Sequence, residues 1–189
     1  MQTRSLKTAE TRARLIEAAL REFNEHGFFG TDTNQIARAA GYAPQTFYRH
    51  FDDKTAVFLG AYERWWHDEA AALKELSSQS KLTAKAAARI VMQFHSNWKI
   101  FRRSLRHLTA EDDRVRTARA TARHAQIRAL DANLSGEKQM AEKLGQLLTI
   151  ERLCDASADD EFKAFGVSDK HVFQLVTAAM ARYLGTPEG

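Results

Sequence analysis

Apolar residues along this chain recur at steps of three and four, the signature of amphipathic helices, and no stretch alternates apolar and polar positions as a half-buried strand would. Leu15, Ile16, Ala19, Leu20 and Phe23 mark a first helix over about 8–26, with Gly27 placed to stop it. After the turn Phe28-Phe29-Gly30, the side chains of Thr31, Asp32 and Thr33 can accept the free backbone N–H groups at the start of a short second helix, about 33–40, which Gly41 ends. Pro44 suits the first turn of a third helix, about 44–50. Asp52 or Asp53 can cap a fourth, which runs through Trp65 and Trp66 to Leu76 before a polar break at Ser77–Ser80.

The cleanest pattern follows. Ala87, Val91, Phe94, Trp98, Phe101 and Leu105 are spaced to line one face of a single helix of about six turns. Further helical segments are expected at about 113–135, 137–154 (Met140, Leu144, Leu147, Leu148) and 169–184 (Val172, Phe173, Val176, Ala179, Met180, Tyr183), with Asp155 to Asp160 as the longest loop. Nine Gly and two Pro in 189 residues are too few for the closely spaced turns of a sandwich or barrel, which agrees with an all-α chain. A small N-terminal helical unit followed by a larger helical body is the expected organisation.

Composition narrows the chemistry. One cysteine, Cys154, excludes an internal disulfide framework and a multi-cysteine zinc site, and His95, His107, His124 and His171 lack short ligand spacing, so neither a metal nor another cofactor is expected. No nucleophile can be assembled with an adjacent base and an orienting group, so an enzyme is not expected. The N-terminus lacks the apolar core of a signal peptide, and no apolar run is long enough to span a bilayer. A cytoplasmic location without membrane association is therefore expected.

Two short helices joined by Gly41-Tyr42-Ala43, the second opened by Pro44, have the dimensions of a helix-turn-helix. On the second, Phe47 and Phe51 can face inward, which leaves Gln45, Thr46, Tyr48, Arg49 and His50 on the remaining surface. Gln45 and Thr46 then suit base edges in a major groove, and Tyr48, Arg49 and His50, with Lys54 beyond, suit phosphates.

In these residues the chain resembles the tetracycline-repressor (TetR) family of transcription factors. The matching positions are Phe23 and Gly27, Thr31, Ile36-Ala37, Ala40-Gly41, Thr46-Phe47-Tyr48, His50-Phe51 and Lys54, several anchors at fixed spacing over about 45 residues. The resemblance implies an N-terminal three-helix DNA-binding domain, residues 1–54, and a helical effector-binding and dimerisation domain, residues 55–189. It also implies a ligand-responsive regulator, a repressor that binds a palindromic operator as a dimer and is released by a small molecule. Carried onto this sequence, it makes Tyr48, His50 and Lys54 phosphate contacts, joined by Thr33 through its hydroxyl and nearby N–H groups, and Gln45 and Thr46 base readers. Tyr48 has a second reading as a packing ring, and His50 one as a capping or solvated side chain.

Three positions depart from the family pattern. Ala43 stands where the family has Ser or Thr, which removes the side-chain cap of the third helix. Gln45 stands where Gly is common, and its amide suits adenine. Tyr42 replaces a small aliphatic residue. The alternative to a regulator is a helical small-molecule binding or sensor protein without operator-specific DNA binding.

The formal charge of +4 does not lie in the expected DNA-binding segment. Residues 1–62 hold eight Lys and Arg against seven acids, whereas Lys99 to Arg128 holds nine against Glu111, Asp112 and Asp113. That basic segment reads either as solvated helix faces or as a surface that meets an anion. In the body, Phe94, Trp98 and Phe101 read either as plain core or as the lining of an apolar ligand pocket oriented by His95 and His107. The two C-terminal long helices, through Leu144, Leu147 and Leu148 and through Val172, Val176 and Tyr183, are expected to pair with their copies in a homodimer.

Overall fold

A computed structural model describes residues 2–79 and 81–186, with the side chains of residues 2–5 left aside. All regular secondary structure among the described residues is helical: α1 (Gln2–His26), α2 (Thr33–Ala39), α3 (Pro44–Phe47), α4 (Lys54–Ser78), α5 (Ala84–Asn97), α6 (Lys99–Glu111), α7 (Asp113–Leu130), α8 (Glu137–Ala158) and α9 (Asp169–Leu184), with a 3₁₀ turn at Lys163–Phe165. The all-α reading therefore holds. The chain forms two compact units, Met1–His67 with Ile100–Ala118, and Asp68–Lys99 with Arg119–Gly189.

The first unit is built on α1. Leu15, Ala18, Ala19 and Phe23 on its inner face are fully buried, and Glu10–Arg14 and Glu17–Arg21 pair at i, i+4 on its outer face (2.7 and 2.8 Å). α4 packs against α1 at Gly60, where a Cβ would lie 3.1 Å from Ile16 Cδ1 and Cγ1, so the missing side chain sets how closely the two helices approach. Phe58 is the centre of an aromatic core, with ring centroids 5.1 Å from Phe23, 5.4 Å from Phe28 and 5.0 Å from Phe101. α6 joins this unit by polar ties as well. The Phe28 N–H donates to Ser104 Oγ (3.0 Å) and the Phe101 N–H donates to Asn24 Oδ1 (3.2 Å).

That last bond accounts for the main correction to the sequence reading. The single helix expected through Ala87–Leu105 is broken at Trp98, which adopts φ −116°, ψ 29°. Within a continuous helix the Phe101 N–H would bond to the carbonyl of Asn97; here Asn24 takes it. The apolar stripe is divided accordingly, with Phe101 and Leu105 in the first unit and Ala87 and Val91 in the second.

In the second unit α5, α8 and α9 pack on one another around Ala87, Ala88, Val91, Leu147, Ile150, Cys154, Val176, Ala179 and Met180. α8 runs on to Ala158, so the segment expected as a loop from Asp155 begins helical. Its polar composition misled because Asp155 faces inward, where it is buried with its Oδ1 2.9 Å from His95 Nδ1. α7 ends at Leu130, earlier than expected, and α1 begins earlier, at Gln2. α4 continues to Ser78; Ser80, the last residue of the expected break, lies outside the described residues.

Candidate nucleic-acid interface

Local rules of chain geometry assemble the helix-turn-helix. Asp32 caps α2 in a reciprocal capping box: its Oδ1 accepts from the Gln35 N–H (2.8 Å) and its own N–H donates to Gln35 Oε1 (2.7 Å). Thr31 is buried and turns the other way, its hydroxyl donating to the Gly27 carbonyl (2.8 Å). At the far end Gly41 adopts φ +80°, and the Gly41 and Tyr42 N–H groups donate to the carbonyls of Arg38 and Ala37 (both 2.9 Å). This is a Schellman closure, and its left-handed residue turns the chain sharply into α3.

α3 is shorter than the sequence suggests. Regular α-helix covers Pro44–Phe47, after which i to i+3 bonds from Arg49 to Thr46 and from His50 to Phe47 tighten the final turn. Ala43 is the N-cap and makes no side-chain cap bond. Phe47 and Phe51 are buried beneath the element, with ring centroids 5.6 Å apart.

The opposite surface carries the sequence-derived candidates. Gln45, Tyr48 and Arg49 are exposed, Tyr48 at 59%, and Pro44, Thr46 and His50 are half-buried. Thr33 at the start of α2 lies with them, its Oγ1 2.9 Å from Tyr48 Oη, so one hydroxyl pair bridges the two helices on their outer side. The Tyr48 ring also packs edge-on against Phe47 (5.3 Å), so both readings of this residue have a physical basis.

Lys54 is placed differently from the others. Its ammonium donates to the carbonyls of Phe28 (2.7 Å) and Thr31 (2.8 Å) and sits 4.3 Å from the centre of the Phe28 ring. Burial pushes its pKa down, against the pull of the Asp32 carboxylate. Two of its three N–H donors thus tie the turn between α1 and α2 to the start of α4, and one remains. Beside it Asp53, not Asp52, caps α4 by accepting from the Ala56 N–H (2.7 Å). Arg114 of α7 donates to Asp53 Oδ2 (2.9 Å), a partner that sequence spacing does not reveal. Burial alone would raise the Asp53 carboxyl, but the bonds from Arg114 and Ala56 outweigh it and hold the group below its ordinary range.

The candidate ligand residues fall in different units. Phe94, His95 and Trp98 belong to the second, where His95 is buried between Asp155 (2.9 Å) and Glu69 (3.9 Å). Phe101 and His107 belong to the first, Phe101 fully buried against Phe58, and His107 exposed with its ring 5.1 Å from that of Phe29. Of the faces expected to pair between copies, Leu147, Val172, Val176 and Tyr183 are buried within the second unit, whereas Leu148 and, on α9, Leu175 are exposed. Among the described residues no cluster of three or more His, Cys, Asp or Glu could hold a metal ion, and no helix is long and apolar enough to cross a membrane.

Comparison with known proteins places this geometry. The sequence pattern of "Bacterial regulatory proteins, tetR family" matches residues 15–61, which span α1 to the first turns of α4. A protein of Escherichia coli K12 named for repression of the acrEF/envCD operon is 40% identical over 75 residues, 40% of this chain and 31% of that protein. A TetR-family transcriptional regulator from Rhodococcus sp. superposes with a TM-score of 0.66 at 17% identity, over 93% of this chain and 99% of its own. RolR, solved in complex with resorcinol, superposes with a TM-score of 0.59 at 18% identity, over 97% and 92% of the two chains. Matches to the first curated relatives span between 25% and 60% of their lengths. It is through the helix-turn-helix and the helices that support it, residues 15–61, that the chain is similar to the tetR family of bacterial regulatory proteins.

Proposed function

We propose that the protein is a ligand-responsive DNA-binding transcriptional regulator, a repressor that binds a palindromic operator as a homodimer and is released by a small molecule. The observation that carries this reading is the outer surface of the helix-turn-helix within the matched segment. Gln45, Tyr48 and Arg49 stand exposed above the buried Phe47 and Phe51, with Thr33 hydrogen-bonded to Tyr48 alongside. Gln45 and Thr46 read base edges. Thr33, Tyr48, Arg49 and His50, with the remaining donor of Lys54, hold phosphates, and Pro44 sets the entry of the chain into the groove.

Residues 1–54 form the reading domain and residues 55–189 the effector-binding and dimerisation domain. Pairing of copies uses the outer faces of α8 and α9, where Leu148 and Leu175 remain exposed at 40% and 48%. The resorcinol complex of RolR, a protein of the same fold, supports a small-molecule effector. Release follows from linkage: an effector that favours a body conformation with wrongly spaced reading helices lowers DNA affinity by its differential affinity for the two states. No catalytic step is part of this function, and it is carried out in the cytoplasm.

The test is retention of genomic DNA fragments by the purified full chain across a salt series, compared with the Gln45→Ala/Tyr48→Ala/Arg49→Ala variant. Retention of a discrete set of fragments that the variant loses is the expected result. Failure of the unmutated chain to retain any fragment overturns the reading and leaves a small-molecule binding protein.

A further inference from the structure

The cations of α1 stand in two different settings. Arg14 and Arg21 each have a glutamate four positions earlier, and the pairs Glu10–Arg14 (2.7 Å) and Glu17–Arg21 (2.8 Å) occupy those guanidiniums. Around Arg12 the corresponding positions are Thr8 and Ala9 before it and Leu15 and Ile16 after it, so the helix offers no such partner. Arg12 is exposed, and its guanidinium makes no hydrogen bond or ion pair among the described residues.

A ring from outside the helix fixes Arg12 instead. Its Cζ lies 5.0 Å from the centre of the Phe51 ring. Ile16, one turn along α1, lies against Gly60 of α4, where a Cβ would be 3.1 Å from Ile16 and 3.8 Å from Phe51 Cε1. Arg12 and Ile16 therefore line the edge of α1 that faces Phe51, in the segment joining α3 to α4. Phe51 follows His50 and stands three residues before Lys54, so the ring that holds Arg12 belongs to the stretch carrying two of the proposed phosphate contacts. Of the two acids in this stretch, Asp53 accepts from the Ala56 N–H and from Arg114, and Asp52 is exposed and makes no ion pair with Arg12. Lys7 and Arg38 are also exposed without an acid partner, but no ring or ion pair fixes either side chain.

We infer that Arg12 is a further phosphate contact of the DNA-binding surface, a cation of α1 that the Phe51 ring positions beside the contacts made by His50 and Lys54. This rests on the proposed DNA-binding regulator and extends its interface from α2, α3 and the start of α4 to α1. A guanidinium held over a ring keeps its N–H donors for a phosphate, whose oxygens match the guanidinium fork. The cation–π contact also restrains the side chain before any DNA arrives, which lowers the entropy lost on binding. Such a contact adds affinity and fixes orientation without reading sequence.

The experiment measures the affinity of the full chain for its tightest genomic fragment by fluorescence anisotropy over a salt series. Arg12→Met and Arg12→Gln both remove the charge, and the first keeps a flexible apolar cover on the Phe51 ring. Each should weaken binding roughly tenfold to a hundredfold and reduce the slope of log affinity against log salt by about one for each bound chain. Arg12→Lys keeps the charge and should keep the slope. Arg14→Met removes a cation of the same helix that Glu10 already engages, and should leave the slope unchanged. A residue that only covers Phe51 would alter stability and not the slope. Circular dichroism and cooperative melting establish that each variant is folded.

An unchanged slope in folded Arg12→Met or Arg12→Gln, a slope reduced as far in Arg12→Lys, or an equal reduction in Arg14→Met overturns the inference. Fragments retained by the unmutated chain, with an unchanged slope in the Arg12 variants, leave the regulator standing without this contact. No fragment retained by the unmutated chain overturns the regulator and the contact together.

Discussion

Replacing Tyr48 by Phe separates the two roles that this ring can hold. The substitution keeps the edge-on contact with Phe47 at 5.3 Å and deletes only the hydroxyl, which lies 2.9 Å from Thr33 Oγ1 on a residue 59% exposed. At so exposed a site water replaces the lost partner, so folding stability should fall by no more than about 0.5 kcal/mol, the low end for a neutral hydrogen bond. Against a phosphate the same hydroxyl makes a charge-assisted bond worth about 1.5–3 kcal/mol, so DNA affinity should fall roughly tenfold to a hundredfold. The hydroxyl is neutral and displaces no counterion. The slope of log affinity against log salt should therefore stay unchanged, whereas Arg49→Gln should reduce it by about one. The assay is fluorescence anisotropy on the tightest genomic fragment over a salt series, with chemical denaturation run in parallel. Unchanged affinity in Tyr48→Phe, or an affinity loss matched by a stability loss of similar size, would refute the phosphate role and leave Tyr48 as a packing residue.

Other expectations concern the scaffold. Ala43→Ser supplies the absent cap of α3 and should stabilise the first unit by about 1 kcal/mol in denaturant unfolding; a destabilised variant would contradict the cap geometry. Gly60→Leu forces a side chain into the contact where a Cβ already lies 3.1 Å from Ile16, and should cost about 1–3 kcal/mol in the same assay. The carboxyl of Asp53 is held low, so its contribution to stability is complete above the ordinary carboxylate pKa of about 4 and is lost as pH falls through the lower folded value. Asp53→Asn should therefore flatten the acid limb of stability below about pH 4, and an unchanged limb would show that the Arg114 contact does not persist in solution.

The parts of the fold legible in the sequence are those fixed by neighbours along the chain. The Schellman closure at Gly41 needs only a residue that tolerates φ +80°, and the capping box of α2 needs only Asp32 and Gln35 three positions apart. The inward placing of Phe47 and Phe51 follows from their four-residue spacing. The break at Trp98 was not legible, because the residue that takes the Phe101 N–H is Asn24, 77 positions away. Asp155 reads as a loop former until His95, 60 positions away, supplies a reason for it to be buried inside a helix. For the candidate interface, spacing identifies the exposed residues of α3 and Thr33. It does not reveal that Lys54 is held by two carbonyls of the α1–α2 turn, 26 and 23 positions away, so a cation near a helix start reads as a phosphate ligand.

The basic segment Lys99 to Arg128 shows how folding redistributes a charge count. As sequence, its nine cations suggest either a solvated face or an anion-binding surface, yet most of those with described contacts are engaged within the chain. Arg102 is buried with its guanidinium 5.0 Å from the centre of the Trp65 ring. Arg114 bridges Asp53 and Asp112, and Arg116 pairs with Asp113 and donates to the carbonyls of Thr109 and Ala110 at the end of α6. Arg128 donates to the Leu134 carbonyl. These cations therefore act chiefly as helix-end and inter-helix ties. Arg119 and Arg123 follow the same pattern inside the second unit, where both pair with the single carboxylate of Glu151.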